Sequence, residues 1–407
     1  MRALTTLYVV EDAPYPPRSG SPLRAWQNIN LLARLGPVHV YSIGKRDADA
    51  SMPRAASWTH VDAREFPVRT SSSLARLRRG IWPREFPIEN DFVGDAMNRR
   101  LREIVERVKP DVIVVAHWHN ALPRALRGRH LLIADAHNVE FEVVARELSA
   151  GFETLSLRSR YRIAQARRRE RSYLHGVDRI WATSDRDAAV FQTAFAPLPP
   201  IDVVPNAIDL DAYAGFEARK HLEDGGPTIG YIGFYGYGPN AEAAAALVDT
   251  IFPAIRSRLP DTSLMLVGRA PTERMKQAAC SDPQITVTGE VDDVRAALRR
   301  IDLLVVPLLG GSGTRLKILE AFAACVPVVT SAKGIEGIEA TPGIHAEVCS
   351  LPEMADRCAE LLADPGRRCR LVAAAHALVA DRYSWEALAR SRAFTVLQRN
   401  LSIKAEN

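Results

Sequence analysis

The chain has little cysteine, no long apolar run and no dominant sign of charge. Its five cysteines, Cys280, Cys325, Cys349, Cys358 and Cys369, are odd in number, lie in the C-terminal half and form no CxxC pair. That pattern excludes a disulfide framework and a structural zinc, and it points to a reducing, cytoplasmic setting. Apolar stretches such as Leu303 to Leu309, strand-sized and containing Pro307, fall far short of the ~20 residues that a membrane-spanning helix needs. The opening Leu7-Tyr8-Val9-Val10 is broken by Glu11-Asp12, so it is too short for a secretory core and reads as a first strand. Lys and Arg number 53 against 48 Asp and Glu, a net +5 over 407 residues. So mild an excess, with no RNA- or DNA-binding motif, argues against a nucleic-acid partner.

What is present is alternation. Short Val/Ile/Leu runs trade places with longer helical stretches from residue 1 to about 205, the pattern of a parallel sheet covered by helices on both faces. Leu7–Val10, Val38–Ile43, Val112–Ala116, Leu131–Ala134 and Arg179–Thr183 are its expected strands. A polar stretch containing Gly225-Gly226-Pro227 interrupts the pattern, which restarts at Thr228-Ile229-Gly230-Tyr231-Ile232. Further strands are expected at Ser263–Val267, Ile285–Thr288, Leu303–Val306 and Val326–Thr330, with helices at Ala241–Ile255 and Val291–Arg299. The length is too great for one ordinary core, so the expectation is an α/β protein of two doubly wound, Rossmann-like domains, 1–205 and 206–385. Ligands collect at the carboxyl ends of strands in such sheets, which favours a central-cleft enzyme.

The most informative segment runs from Leu308-Leu309-Gly310-Gly311-Ser312-Gly313-Thr314-Arg315-Leu316-Lys317 through Ile318-Leu319-Glu320-Ala321-Phe322. A buried strand ends at Pro307, three glycines allow a tight turn, and Thr314 is placed to cap a helix whose free N–H groups attract anions. Arg315 and Lys317 in the first turn oppose the helix dipole unless a phosphate compensates them. Glu320 lies on an otherwise apolar helix. It either faces inward and takes a sugar hydroxyl pair, or forms an exposed pair with Lys317, and periodicity leaves both open.

This segment, with Ala323-Ala324-Cys325-Val326-Pro327-Val328-Val329, resembles the K-x-x-E-A-x-A-x-G-x-P-V-V run of the retaining family 4 glycosyltransferases of the GT-B fold. The resemblance implies that Glu320 binds the ribose of a nucleotide sugar. It also implies that Gly311, Ser312, Gly313, Thr314 and Leu316, with Arg315 and Lys317, hold its diphosphate. Ser312 stands where many members have a second Glu, and Cys325 where a Gly is usual. Val203-Val204-Pro205-Asn206-Ala207-Ile208-Asp209 resembles the family's V-P-N-G-V-D segment. Gly233 lies in a turn where relatives carry an Arg and a Lys that are missing here, and Glu290 and Val291 form the turn expected at the nucleobase.

In the first half, Gly20 resembles the family's glycine after strand one, which implies that backbone amides there approach the donor diphosphate unless it is a plain turn glycine, and His119 resembles the histidine near the donor sugar. Asp135-Ala136-His137-Asn138-Val139-Glu140 offers His137, Asn138 and Glu140 for the acceptor. A zinc site can be drawn from His117, His119 and His137, but no H-x-x-x-H helix or cysteine supports it. The resemblance implies an enzyme with a nucleotide-diphosphate sugar and a hydroxyl acceptor as substrates, no metal requirement, and a final helix, 386–407, that packs back on the first domain. The basic stretch 158–171 is either a solvated helix face or a contact with the inner face of a membrane. A sugar-nucleotide epimerase and a catalytically silent nucleotide-sugar-binding protein are the alternatives. A nicotinamide dehydrogenase is disfavoured, because the glycines from Gly230 to Gly238 do not make G-x-G-x-x-G.

Overall fold

The computed structural model describes residues 3–11, 13–17, 20–43, 52–61, 91–116, 126, 130–149, 155–218, 225–311 and 315–397. The chain divides into two compact units, one formed by Met1–Val204 with Arg392–Asn407, the other by Pro205–Ser391.

The first unit is built on seven parallel strands: β1 (Thr6–Val10), β2 (Val38–Ile43), β3 (Ser57–Val61), β4 (Val112–Ala116), β5 (Leu131–Ala136), β6 (Arg179–Ala182) and β7 (Ile201–Val203). Their order in the sheet is β3-β2-β1-β4-β5-β6-β7, so the chain starts in the middle and reverses between β1 and β4. Leu7 sits between His39 on one side and Ile113 on the other. Every residue of β1 and of β4 is buried, which is why both read as unbroken apolar runs rather than as alternation. The helices are α1 (Gly20–Ala33), α2 (Asp91–Val108), α3 (Glu140–Ser149), α4 (Leu157–Leu174) and α5 (Asp185–Phe195). Ser184 caps α5 by accepting from the Asp187 amide.

The second unit repeats the design with β8 (Thr228–Ile232), β9 (Ser263–Val267), β10 (Ile285–Gly289), β11 (Leu303–Val306), β12 (Val328–Thr330) and β13 (Glu347–Val348), ordered β10-β9-β8-β11-β12-β13 and all parallel. Around it lie α6 (Gly238–Ala246), α7 (Phe252–Arg256), α8 (Glu273–Ser281), α9 (Val294–Leu298), α10 (Leu316–Ala323), α11 (Met354–Ala363), α12 (Pro365–Leu378) and α13 (Trp385–Ala389). The single helix expected over Ala241–Ile255 is interrupted by a π-helical turn at Leu247–Ile251. Pro253 has no N–H to donate back into that turn, so the ladder there cannot stay α-helical. The helix expected over Val291–Arg299 shortens to α9, with Asp293 as its cap.

Each unit has its own apolar core, one around Leu7, Ile113, Ala134 and Phe191, the other around Ile229, Leu266, Val305 and Phe322. The chain re-enters the first unit at Arg392, a few residues later than the family resemblance places the return. Ser384 caps α13 and the Trp385 amide donates to Ile208 O, so α13 stays with the second unit.

Candidate functional site

In the second unit the expected residues gather at the carboxyl ends of β8 and β11. The loop after β11 turns at Gly311, whose φ of +103° lies in the left-handed region; a Cβ there would come 3.0 Å from Arg315 Nη1. The backbone there favours glycine, and a larger residue would also press on the guanidinium packed against it. Arg315 is buried and is itself the cap residue of α10, with no side-chain cap bond. Ser312, Gly313 and Thr314 lie outside the described residues, so the capping role expected for Thr314 does too. Leu316 opens α10 and packs against the core.

Lys317 settles one of the alternatives. It does not pair with Glu320 across the helix face. Its Nζ donates to Tyr231 Oη (3.0 Å) and Asn240 Oδ1 (2.8 Å) and sits 4.2 Å from the centre of the Tyr231 ring. Tyr231 Oη donates to the same Asn240 oxygen at 2.8 Å. Asn240 in turn lies where a Cβ on Gly233 would approach it to 3.0 Å, so the turn after β8 carries a lysine delivered by α10 instead of one of its own. Burial, with the nearby Arg315 charge, pushes the Lys317 ammonium well below its ordinary range, while Glu320 acts in the opposite direction. The next turn is equally close: Gly268, at φ +137°, has no room for a Cβ, which would lie 1.9 Å from Gly233 O.

Glu320 is half-buried and accepts from Tyr213 Oη at 3.4 Å. Burial pushes its carboxyl up to about 7, although the Tyr213 hydroxyl and Lys317 favour its charge; Asp293 adds to the upward push. Glu290 is exposed and Val291 half-buried, in the turn that follows β10. Two cations at a glycine turn and a carboxylate one helical turn further on can hold a diphosphate joined to a diol.

The first unit carries a second polar cluster at the end of β5. Asp135, fully buried, accepts from Arg24 Nε (2.9 Å) and Nη2 (2.6 Å), Tyr8 Oη (2.9 Å) and Asn28 Nδ2 (2.8 Å). His137 Nε2 lies 3.2 Å from Asp135 Oδ2, and His137 Nδ1 lies 3.3 Å from Ser21 Oγ. Burial opposes the charge on Asp135, but Arg24 and His137 outweigh it and hold the carboxyl well below the usual carboxylate range. Gly20 begins α1 beside Ser21, with open space where a Cβ would stand. Asn138 Nδ2 donates to Glu140 Oε1 at 3.5 Å. His117 and His119 lie outside the described residues.

Residues 226–364 match the family described as glycosyl transferases group 1, and residues 30–212 match glycosyltransferase family 4. The chain belongs to the family 4, group 1 glycosyltransferases. This glycosyltransferase is 26% identical over 407 residues to the GDP-mannose-dependent alpha-(1-6)-phosphatidylinositol monomannoside mannosyltransferase of Mycobacterium tuberculosis, covering 94% of this chain and 95% of that one. It is also 29% identical over 131 residues to the phosphatidyl-myo-inositol mannosyltransferase of that organism, where the match spans 31% of this chain and only 34% of the relative. Sucrose-phosphate synthase from Thermosynechococcus elongatus, 16% identical, superposes with a TM-score of 0.73 over 100% of both chains. The fold of this glycosyltransferase is thus GT-B, with two Rossmann-like domains.

Sequence reasoning assigned no role to Tyr213, Tyr231 and Asn240 in the second unit's cluster, or to Tyr8, Ser21, Arg24, Asn28 and Asp135 in the first unit's. Arg24 left a trace, since Arg24 and Asn28 stand four apart on a helix that also buries Ile29, Leu31 and Leu32. Polar residues at that spacing on a buried face ask for a charged partner.

Proposed function

We propose that this glycosyltransferase moves a sugar from a nucleotide-diphosphate donor to an acceptor hydroxyl, with retention at the anomeric carbon. The observation that carries the reading is the meeting of Arg315 and Lys317 at the Gly311 turn, where the charge of Arg315 bears on Lys317. A diphosphate between such cations relieves their repulsion, and charge that grows on it as the glycosidic bond breaks is stabilised further. Glu320 takes the ribose hydroxyls, Gly233, Gly311 and Leu316 shape the phosphate turn, and the Glu290–Val291 turn faces the base. These cations serve the leaving group in place of a metal. His137, Asn138 and Glu140 serve the acceptor.

The names of the relatives support GDP-mannose as donor and an inositol-phospholipid glycan hydroxyl as acceptor. Among the described residues no helix is long and apolar enough to cross a membrane. The lipid surface is instead met peripherally, on the cytoplasmic side, by α4, where Leu157 is 85% exposed beside exposed Arg158 and Arg160 and exposed Arg167, Arg168 and Arg171 follow.

The test is a thermal-shift series with GDP, UDP, dTDP and ADP, followed by transfer of labelled mannose from GDP-mannose to vesicles containing phosphatidylinositol mannosides. GDP should raise the melting temperature and label should enter the lipid. Lys317→Ala should weaken GDP by about 10- to 100-fold, the loss of one charge-assisted phosphate contact. A protein stabilised by none of the four nucleotides overturns the reading.

A further inference from the structure

The buried cluster behind His137 uses more groups than a packed core needs. Arg24 and Asp135 are 1% and 0% exposed, and a buried ion pair adds little stability over apolar packing. Its members sort into two sets by what they reach. Arg24 anchors Asp135 with two bonds to Oδ1 and spends Nη1 on the O of Val204 at 2.7 Å, where the chain first leaves this unit. Tyr8 and Asn28 crowd the other oxygen, Oδ2, and so fix the direction in which it meets His137.

Asp135 is ionised and can only accept, so the His137 nitrogen facing it, Nε2, must carry the proton. In the neutral ring Nδ1 is then the acceptor, and it faces Ser21 Oγ at the start of α1. The ionised Asp135 oxygen thus selects one tautomer and one ring orientation.

We propose that Asp135 and Arg24 are positioning residues for sugar transfer: they lock His137 with its proton on Nε2 and turn Nδ1 toward Ser21, which presents this pair to the acceptor hydroxyl. The proposal rests on the assignment of His137 to the acceptor. Asp135→Asn tests it, because the amide can turn an N–H toward His137 and demand the opposite tautomer.

The measurement is the ring ¹⁵N spectrum of the full-length enzyme, with His137 assigned by its loss in His137→Gln. The wild-type ring should carry its proton on Nε2. Asp135→Asn should shift it to Nδ1 and lower kcat by at least about tenfold, as mis-set histidine tautomers do elsewhere, with GDP binding unchanged. Should Asp135→Asn fail to fold, Ser21→Ala keeps the question open to decision: it should raise the acceptor KM severalfold and leave the GDP affinity alone. An Nδ1-protonated ring in the wild type overturns the proposal, as does an Asp135→Asn enzyme with unchanged tautomer and kcat, or an unchanged acceptor KM in Ser21→Ala. A wild type that transfers no sugar overturns the assigned function instead, and the ring spectrum still decides the positioning.

Discussion

At Glu320 the needs of folding and of binding pull in opposite directions. Burial lifts its carboxyl to about 7, above the roughly 4.3 of an unfolded chain. Its contribution to stability is therefore fully present below that unfolded value and is lost as pH rises through 7. A ribose diol, by contrast, donates two hydroxyl hydrogens and needs the ionised acceptor, with Tyr213, Lys317 and Asp293 as the charged or titratable neighbours. Donor affinity should fall as pH drops below 7, by up to about tenfold per pH unit. Titration calorimetry with GDP from pH 6 to 8.5 would read this, and Glu320→Gln should flatten the profile while weakening the binding. A wild-type profile as flat as the variant's would remove Glu320 from the ribose.

Between α3 and α4 one carboxylate holds two elements together. Glu170, on α4, accepts from the amides of Glu140 (2.8 Å) and Phe141 (3.1 Å), the first residues of α3. It supplies from a neighbouring helix the cap that α3 lacks in its own sequence. Burial pushes Glu170 up to about 8 while both amides pull it back, which marks the site as dry. Glu170→Ala should lower stability to urea by about 1–2 kcal/mol and speed hydrogen exchange at the Glu140 and Phe141 amides first. Exchange unchanged at those two positions would deny the cap.

Elements such as β4 and β9 were legible in the sequence because a strand covered on both faces must be apolar throughout. The strands that sequence reading missed, β3, β7 and β13, are all sheet edges. An edge strand has one neighbour and a wetter face, so β3 reads Ser57-Trp58-Thr59-His60-Val61 and is half-buried along most of its length. The glycine turn, Arg315, Lys317 and Glu320 were equally legible, being local in the chain. Lys317 bonded to Asn240, 77 residues away, and Arg24 bonded to Asp135, 111 residues away, were not, since side-chain partners at that distance are chosen by the fold.

At the scale of the molecule the chain passes between its units twice, after Val204 and after Ser391. The two passages are fastened to each other inside the second unit: Ile208 N donates to Tyr383 O, and Trp385 N to Ile208 O. Beyond the second passage, Phe394 is 1% exposed and lies 5.5 Å, ring to ring, from the fully buried Trp181 of β6. This segment is thus part of the first unit's interior although the whole second unit separates it in sequence from the rest of that unit. Phe394→Ala should cost the first unit about 3–5 kcal/mol, the usual loss for a deleted buried aromatic ring. Calorimetry of the full chain should then separate two transitions, the lower one nearly insensitive to GDP and the upper one still raised by it, because, Gly20 apart, the residues assigned to the nucleotide lie between Pro205 and Ser391. If the variant instead melts in one step that GDP shifts as a whole, the two cores unfold as a single cooperative body, and the tail stabilises both.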